Sequence, residues 1–142
     1  MLGRKDYTQE ELDNARSAVD RQLAAYRALA DAVAAAGDDK AASALDDLEV
    51  PFFNNMVLVL DRLFVHRLRS ATGKDGNALN EVELLAESLM NNHGVLRGNN
   101  VVKLVPEQSV LKLQIGDPIR VTAGDFERLA AAFFTEIERK FL

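Results

Sequence analysis

The sequence predicts a mainly α-helical bundle of four to five helices around a buried central helix at residues 51–69, with a small β-hairpin or irregular β element near 101–121. Three observations carry this prediction. Apolar residues recur at helical spacing in long segments, capping residues precede those segments, and the central segment is apolar on more than one side. A chain of 142 residues predicts one domain, 1–142, with a short mobile lead at 1–7.

The first predicted helix covers residues 8–36. Thr8 and Glu11 match a capping box at its start, and Gly37 suits the left-handed position past its end. Ten alanines between positions 15 and 36 favour helix formation and close contact with a neighbouring helix. Its apolar positions at helical spacing are Leu12, Ala15, Val19, Leu23, Tyr26, Ala30 and Val33.

A short second helix is predicted to begin after Asp38 or Asp39 and to end near Leu48. Because the residue before a proline resists helical geometry, we expect a bend at Val50, with Pro51 opening the next helix.

The central helix, residues 51–69, is the feature around which the predicted fold is organised. Its apolar residues cover more than a one-sided stripe, so we expect other helices to surround it. The polar exceptions form one predicted strip, because their spacing of seven, four and three puts them on one helical face. The residues of this predicted polar strip are Asn55, Arg62, His66 and Arg69.

Two further helices follow a turn-rich loop at 70–77. One is predicted to begin near Asn80, where the capping pattern recurs, and to end near Asn92. The last begins at Thr122, with Asp125 at the third helical position, and carries four of the seven phenylalanines. Phe134 lies off the main apolar stripe of that helix, which suggests a second contact, for example with another subunit.

The segment 101–121 has a different character. Residues 101–105 and 110–115 are β-prone, and the second alternates apolar and polar residues as a hairpin strand does. A third short strand at 119–121 is compatible with this pattern. An alternative interpretation makes 106–113 a helical turn that begins with Pro106.

Composition narrows the classes of protein. The chain has no cysteine and a net charge of −5, so we expect no thiolate metal site and no broad nucleic-acid surface. The charged start lacks the apolar core of a signal peptide, and no apolar run approaches the ~20 residues that cross a bilayer. We therefore expect a cytoplasmic protein without membrane or nucleic-acid partners.

Known catalytic and metal-binding motifs do not fit. Gly73-Lys74 lacks the glycine and the Ser or Thr of a phosphate-binding loop, and 75–86 fails as a calcium loop because Leu79 and Ala86 occupy ligand positions. His66 and His93 belong to no zinc or di-iron motif, and no serine hydrolase motif occurs. We expect no cofactor and no metal.

The polar strip has two interpretations. As a binding site, Arg62, His66 and Arg69, with Lys74 from the loop and Asn55 beside them, would hold a carboxylate or phosphate through charge-assisted hydrogen bonds. In the competing interpretation, which we favour, these cations form structural ion pairs with Glu81, Glu83 or Glu87 of the next helix, or with acidic residues of the first helix.

Three segments, Phe64-Val-His66-Arg67, Gly73-Lys-Asp-Gly-Asn77-Ala-Leu79-Asn-Glu-Val82 and Ala131-Ala-Phe-Phe-Thr-Glu-Ile-Glu138, resemble a family of small uncharacterised bacterial proteins. The resemblance covers most of the chain from about residue 49 onward. It implies a bacterial cytoplasmic protein, and it supplies no activity, cofactor or partner.

The function predicted from the sequence is that of a non-enzymatic helical bundle that acts through protein–protein contacts as a homodimer. The Ala-rich first helix and the Phe-rich last helix would offer the surfaces. The alternative is a small-anion or small-molecule binder, or an enzyme, that uses Arg62, His66, Arg69 and Lys74.

Overall fold

The computed structural model describes residues 3–142, and the protein is mainly α-helical, as predicted. Within that range the helices are α1 (Gln9–Ala36), α2 (Asp39–Leu63), α3 (Arg69–Thr72), α4 (Ala78–Asn91) and α5 (Ala123–Phe141). The long antiparallel pair α1 and α2 packs on α4 and α5, and α5 contacts all four other helices.

The predicted ends of α1 are confirmed. Thr8 and Glu11 form the reciprocal capping box, and Gly37 is left-handed with φ 65°. Glu11 also accepts two hydrogen bonds from the Arg4 guanidinium, which together with the Thr8 backbone N–H lowers the pKa of Glu11 to about 2. The predicted mobile segment 1–7 lies partly outside the described residues. Within the described part, Tyr7 is buried and its N–H donates to the carbonyl of Phe141.

Residues 39–63 form one helix, which corrects the prediction of two helices separated by a bend at Val50. Pro51 lies inside α2, where it removes one backbone hydrogen bond. The flanking aromatic packing offsets this loss, because the Tyr26 ring of α1 lies 4.8 Å from the Phe53 ring and 6.0 Å from the Phe52 ring. Long-range packing on α1 therefore overrides the local signal of the proline.

The predicted central helix 51–69 ends early, at Leu63. Two side chains from outside α2 donate hydrogen bonds to carbonyl groups at the C-terminal end of the helix. The Arg67 guanidinium donates to the carbonyls of Asp61 and Phe64, and the Tyr7 hydroxyl donates to the carbonyl of Val65. These partners stabilise a turn after Leu63 in place of the two further helical turns that the local pattern predicts.

The most enclosed helix is α4, and not the segment 51–69. Nine of the 14 residues of α4 are buried, whereas α2 has four buried residues in 25. The N-cap of α4 is Asn77, three residues before the predicted one, and its side chain accepts from the N–H of Asn80. The phenylalanines of α5 are buried. Phe134 is covered within the same chain by Arg16 and Phe64, so its burial does not require a second subunit.

No β-strand forms between residues 95 and 121, so the predicted hairpin is wrong. The backbone N–H groups that a hairpin would pair are bound by side-chain acceptors instead. The Glu81 carboxylate accepts from Val110 and Leu111, and the Asn99 side chain accepts from Val101 and Val102. At 105–109 the chain makes one hydrogen-bonded turn, which matches the start of the alternative helical interpretation, and Val95 and Pro118 form an isolated antiparallel bridge.

Candidate functional site

The solvent-facing side of α2 carries a surface of three apolar and two polar residues. Its five residues follow spacings of four, three, four and three, which puts them on the face opposite the buried Phe53, Val57 and Leu60. Leu48 is 43% exposed and Val59 is 45% exposed. We name this surface the outer α2 face, and its residues are Leu48, Phe52, Asn55, Val59 and Arg62.

The adjoining side of α1 extends this surface. Ala18 and Gln22 of α1 line a shallow groove of about 210 Å³ together with Val59 and Leu63 of α2. Further along α1, Leu29 is 47% exposed. Small alanines beside exposed apolar side chains leave room for another helix to approach closely.

Arg67 organises the turn after α2. Its side chain is only 7% exposed, and it forms an ion pair with Asp61 at 3.1 Å and a longer one with Glu83 at 4.0 Å. The guanidinium also lies over the Phe133 ring, 5.4 Å from its centroid. Its Nε is buried and has no hydrogen-bond partner among the described residues. Because a buried unpaired charge is costly, the two carboxylates hold Arg67 in place.

The predicted polar strip does not lie on one face. Asn55 and Arg62 are exposed on the outer α2 face, and His66 is exposed in the following turn with a left-handed backbone, φ 63°. Arg69 belongs to α3 and donates two hydrogen bonds of 2.9 Å to Glu83. Arg69 therefore forms the structural ion pair with α4 that the competing interpretation predicts.

Lys74 lies away from the other candidate residues, in the loop 73–77. The Arg69 guanidinium and the Asn80 amide both donate to the carbonyl of Gly73, and Asn80 also donates to the carbonyl of Asp75. Lys74 is exposed and lines a different groove with Lys103, while Arg62 and His66 line a cavity at the end of α2. The structure thus brings Arg62 and His66 together and separates Arg69 and Lys74 from that cavity.

The sequence pattern singles out Glu83 as a partner of the strip but gives no role to Arg67 or Asp61, which also line this cavity. In a helix that continued through residue 69, Arg67 would lie on a different face from Arg62 and His66. Asp61 and Arg67 are six residues apart, a spacing that brings two side chains together only when the helix ends between them. The Arg67–Asp61 pair therefore has no local sequence signal.

Glu81 is a buried acid in α4 with a structural role. Its carboxylate accepts from the N–H groups of Val110 at 2.8 Å and Leu111 at 3.0 Å, which fastens the 105–111 turn to α4. Burial raises the pKa of Glu81, and the two backbone donors together with Lys112 and Arg128 oppose this rise. Nothing in the sequence pattern marked Glu81 as buried.

Comparison with models of protein families, with curated proteins and with solved structures finds no match to this chain. The resemblance to bacterial proteins therefore stays a prediction. Among residues 3–142, no helix combines the length and the apolar character that crossing a membrane requires. In the same part of the chain, no three His, Asp or Glu side chains meet as metal ligands.

Proposed function

We propose that the protein acts, without catalysis, through protein–protein contact, and that its partner is a second copy of the same chain bound at the outer α2 face. The single observation that carries this proposal is the pair of exposed residues Leu48 and Val59, with the half-buried Phe52 between them, at helical spacing on the solvent side of α2. Apolar stripes of this kind are typical of helix–helix interfaces, whereas the solvent side of a helix is normally polar.

The order of residues along this face favours a second copy over an unrelated partner. A two-fold interface uses the same surface on both chains. With the two-fold axis at Asn55 and the α2 helices antiparallel, Val59 meets Phe52 of the other copy, and Arg62 meets the Leu48 region. The two Asn55 amides then face each other, as polar residues do at the centre of helical pairs where they fix the register.

The charges at the ends of the face are complementary in this arrangement. Asp47 and Arg62 are 15 residues apart, so they lie roughly 60° apart around the helix and on the same edge of the face. In the antiparallel pair, each Asp47 comes beside Arg62 of the other copy. Neither side chain has an ion-pair partner within the described part of the chain. Such flanking pairs select orientation more than they add affinity.

The α1–α2 hairpin is long enough to support a dimer. The 25 residues of α2 extend about 37 Å, and the groove beside Ala18 and Gln22 widens the apolar surface. Two such hairpins packed together form a four-helix arrangement, an established way to bury apolar stripes. The resemblance to bacterial proteins supports a cytoplasmic bacterial setting for this role.

The proposal is tested by measuring mass in solution with multi-angle light scattering at high micromolar concentration. We expect the wild type to be a dimer and Val59→Glu to be a monomer, because the charge falls in the middle of the paired faces. Val101→Glu is the matched control, since Val101 is 51% exposed and lies outside the outer α2 face. A monomeric wild type, or equal dissociation by both variants, would overturn the proposal.

A further inference from the structure

A cleft between the C-terminal end of α2 and α4 shares only Arg62 with the outer α2 face. Its polar half is a cavity of about 240 Å³ at the turn after α2, and its apolar half is a cavity of about 450 Å³ along α4. Asp61, Arg62 and Glu83 line both cavities, so the two lie side by side, and we refer to them together as the cleft. We propose that this cleft binds a small amphiphile with one carboxylate and an unbranched apolar chain.

The charge available to a ligand in the polar half is positive. Asp61 pairs with Arg67, and Glu83 is held by both Arg69 and Arg67. Arg62 is exposed and has no carboxylate within 4.0 Å among the described residues. A guanidinium whose neighbouring acids are already neutralised by other cations is a good partner for a carboxylate.

Two further features of the polar half favour a ligand rich in hydrogen-bond acceptors. Its wall includes Arg67, whose buried Nε–H has no acceptor, and buried donors of this kind are uncommon in folded proteins. His66 exposes an imidazole at the same cavity from a left-handed backbone, a conformation that is uncommon for residues other than glycine. Such strained positions cluster at binding sites.

The other half of the cleft is suited to an apolar chain. Leu58, Ala86 and Met90 line it, and Met90 is 66% exposed. The methionine side chain is flexible and adapts to apolar ligands of varied shape. A bare anion such as phosphate would leave this surface uncovered, while an apolar molecule without a carboxylate would leave Arg62 unpaired. One carboxylate followed by a chain matches both halves.

The same arginine can serve both proposals, because a guanidinium has five N–H donors. A carboxylate in the cleft and Asp47 of a second copy can therefore bind Arg62 from different sides. Ligand binding does not require the dimer, since every residue that lines the cleft belongs to one chain.

Calorimetric titration of the full-length protein with octanoate tests this proposal. We expect saturable binding with one site per chain, hexanoate about sixteenfold weaker because each of the two missing CH2 groups contributes about fourfold, and no binding of octylammonium. Arg62→Gln is expected to weaken octanoate binding at least tenfold, and Met90→Asp to weaken it similarly. Arg120→Gln, which removes an exposed arginine outside the cleft, is the matched control and should bind like the wild type.

Three results would overturn the proposal: no saturable binding, octylammonium binding as tightly as octanoate, or equal losses in Arg62→Gln and Arg120→Gln. Circular dichroism of each variant verifies that it is folded. The Val59→Glu chain should bind octanoate like the wild type. The two proposals therefore fail independently: a monomeric wild type would not contradict octanoate binding, and a lack of octanoate binding would not contradict the dimer.

Discussion

Removing the carboxylate of Glu81 is expected to destabilise the protein strongly, although Glu81 does not belong to the outer α2 face. In Glu81→Ala the N–H groups of Val110 and Leu111 lose their acceptor. Each unsatisfied donor costs ~1–3 kcal/mol. Removing the buried carboxylate also removes its desolvation cost, which offsets part of this loss, so we expect the free energy of unfolding to fall by about 3 kcal/mol. In a chain of this size the melting temperature would fall by roughly 10 °C. Glu81→Gln keeps one acceptor and should lose about half as much.

Urea denaturation followed by circular dichroism measures these changes in the free energy of unfolding. Glu87→Ala is the matched control, because Glu87 is exposed on the same helix and accepts from Asn99 at the surface; we expect a change below ~0.5 kcal/mol. A loss below ~0.5 kcal/mol in Glu81→Ala as well would refute the assigned role, since the 105–111 turn would then not depend on the carboxylate.

The pH dependence of the same variants gives an independent check. Because burial raises the pKa of Glu81 in the folded protein, the folded state binds the proton more tightly than the unfolded state does. The stability contributed by this carboxyl therefore decreases as pH rises above about 4, its unfolded value. The difference in the free energy of unfolding between the wild type and Glu81→Gln should therefore decrease as pH rises. An increase in this difference with rising pH would contradict the burial of the Glu81 carboxyl group.

Three further changes test other parts of the fold by urea denaturation. Arg67→Met should lose ~1–3 kcal/mol because the carbonyls of Asp61 and Phe64 lose their donor and the partly exposed Asp61 loses its ion-pair partner, whereas Arg62→Met should change stability by less than ~0.5 kcal/mol. Equal effects would contradict the assignment of the buried cation. Glu11→Gln should cost less than ~1 kcal/mol at pH 7, because its ion pair is partly exposed. Since the folded pKa of Glu11 is lowered to about 2, that cost should vanish as pH falls from about 5 to about 2, and a cost that stays constant over this range would contradict the lowered pKa. Phe53→Ala, at a fully buried site, should lose ~3–5 kcal/mol, and a loss under ~1 kcal/mol would place Phe53 outside the core.

The ends of α1 and α5 were predictable because their signals are local. Thr8 with Glu11 forms the capping box that the sequence indicated, and Gly37 adopts the left-handed conformation expected past the end of α1. Helix α5 begins after Thr122 as predicted, and there Asp125 completes a second capping box. Each of these features involves residues within four positions of one another, so spacing alone identifies them.

The end of α2 and the path of residues 95–121 were not predictable, because distant partners determine both. Tyr7 reaches the carbonyl of Val65 across 58 positions, and Glu81 reaches the N–H of Val110 across 29. An alternating apolar pattern indicates a strand only if another strand accepts its hydrogen bonds, and here a helix side chain does so. The same distant contacts also explain why the predicted polar strip does not form. Because α2 ends at Leu63, Arg69 lies apart from Arg62, and the side chain of Arg67 becomes buried.

Cysteine crosslinking tests the proposed antiparallel pairing at Asn55 most directly, because the chain has no cysteine of its own. A disulfide requires Cα atoms about 4.4–6.8 Å apart, which holds at the two-fold axis but not for position 48, roughly 21 Å from its own copy along the helices. Asn55→Cys should therefore form a covalent dimer on mild oxidation, Leu48→Cys should not, and a mixture of Leu48→Cys with Arg62→Cys chains should. If Asn55→Cys stays monomeric, or crosslinks no faster than Val101→Cys, the two-fold pairing of α2 is wrong.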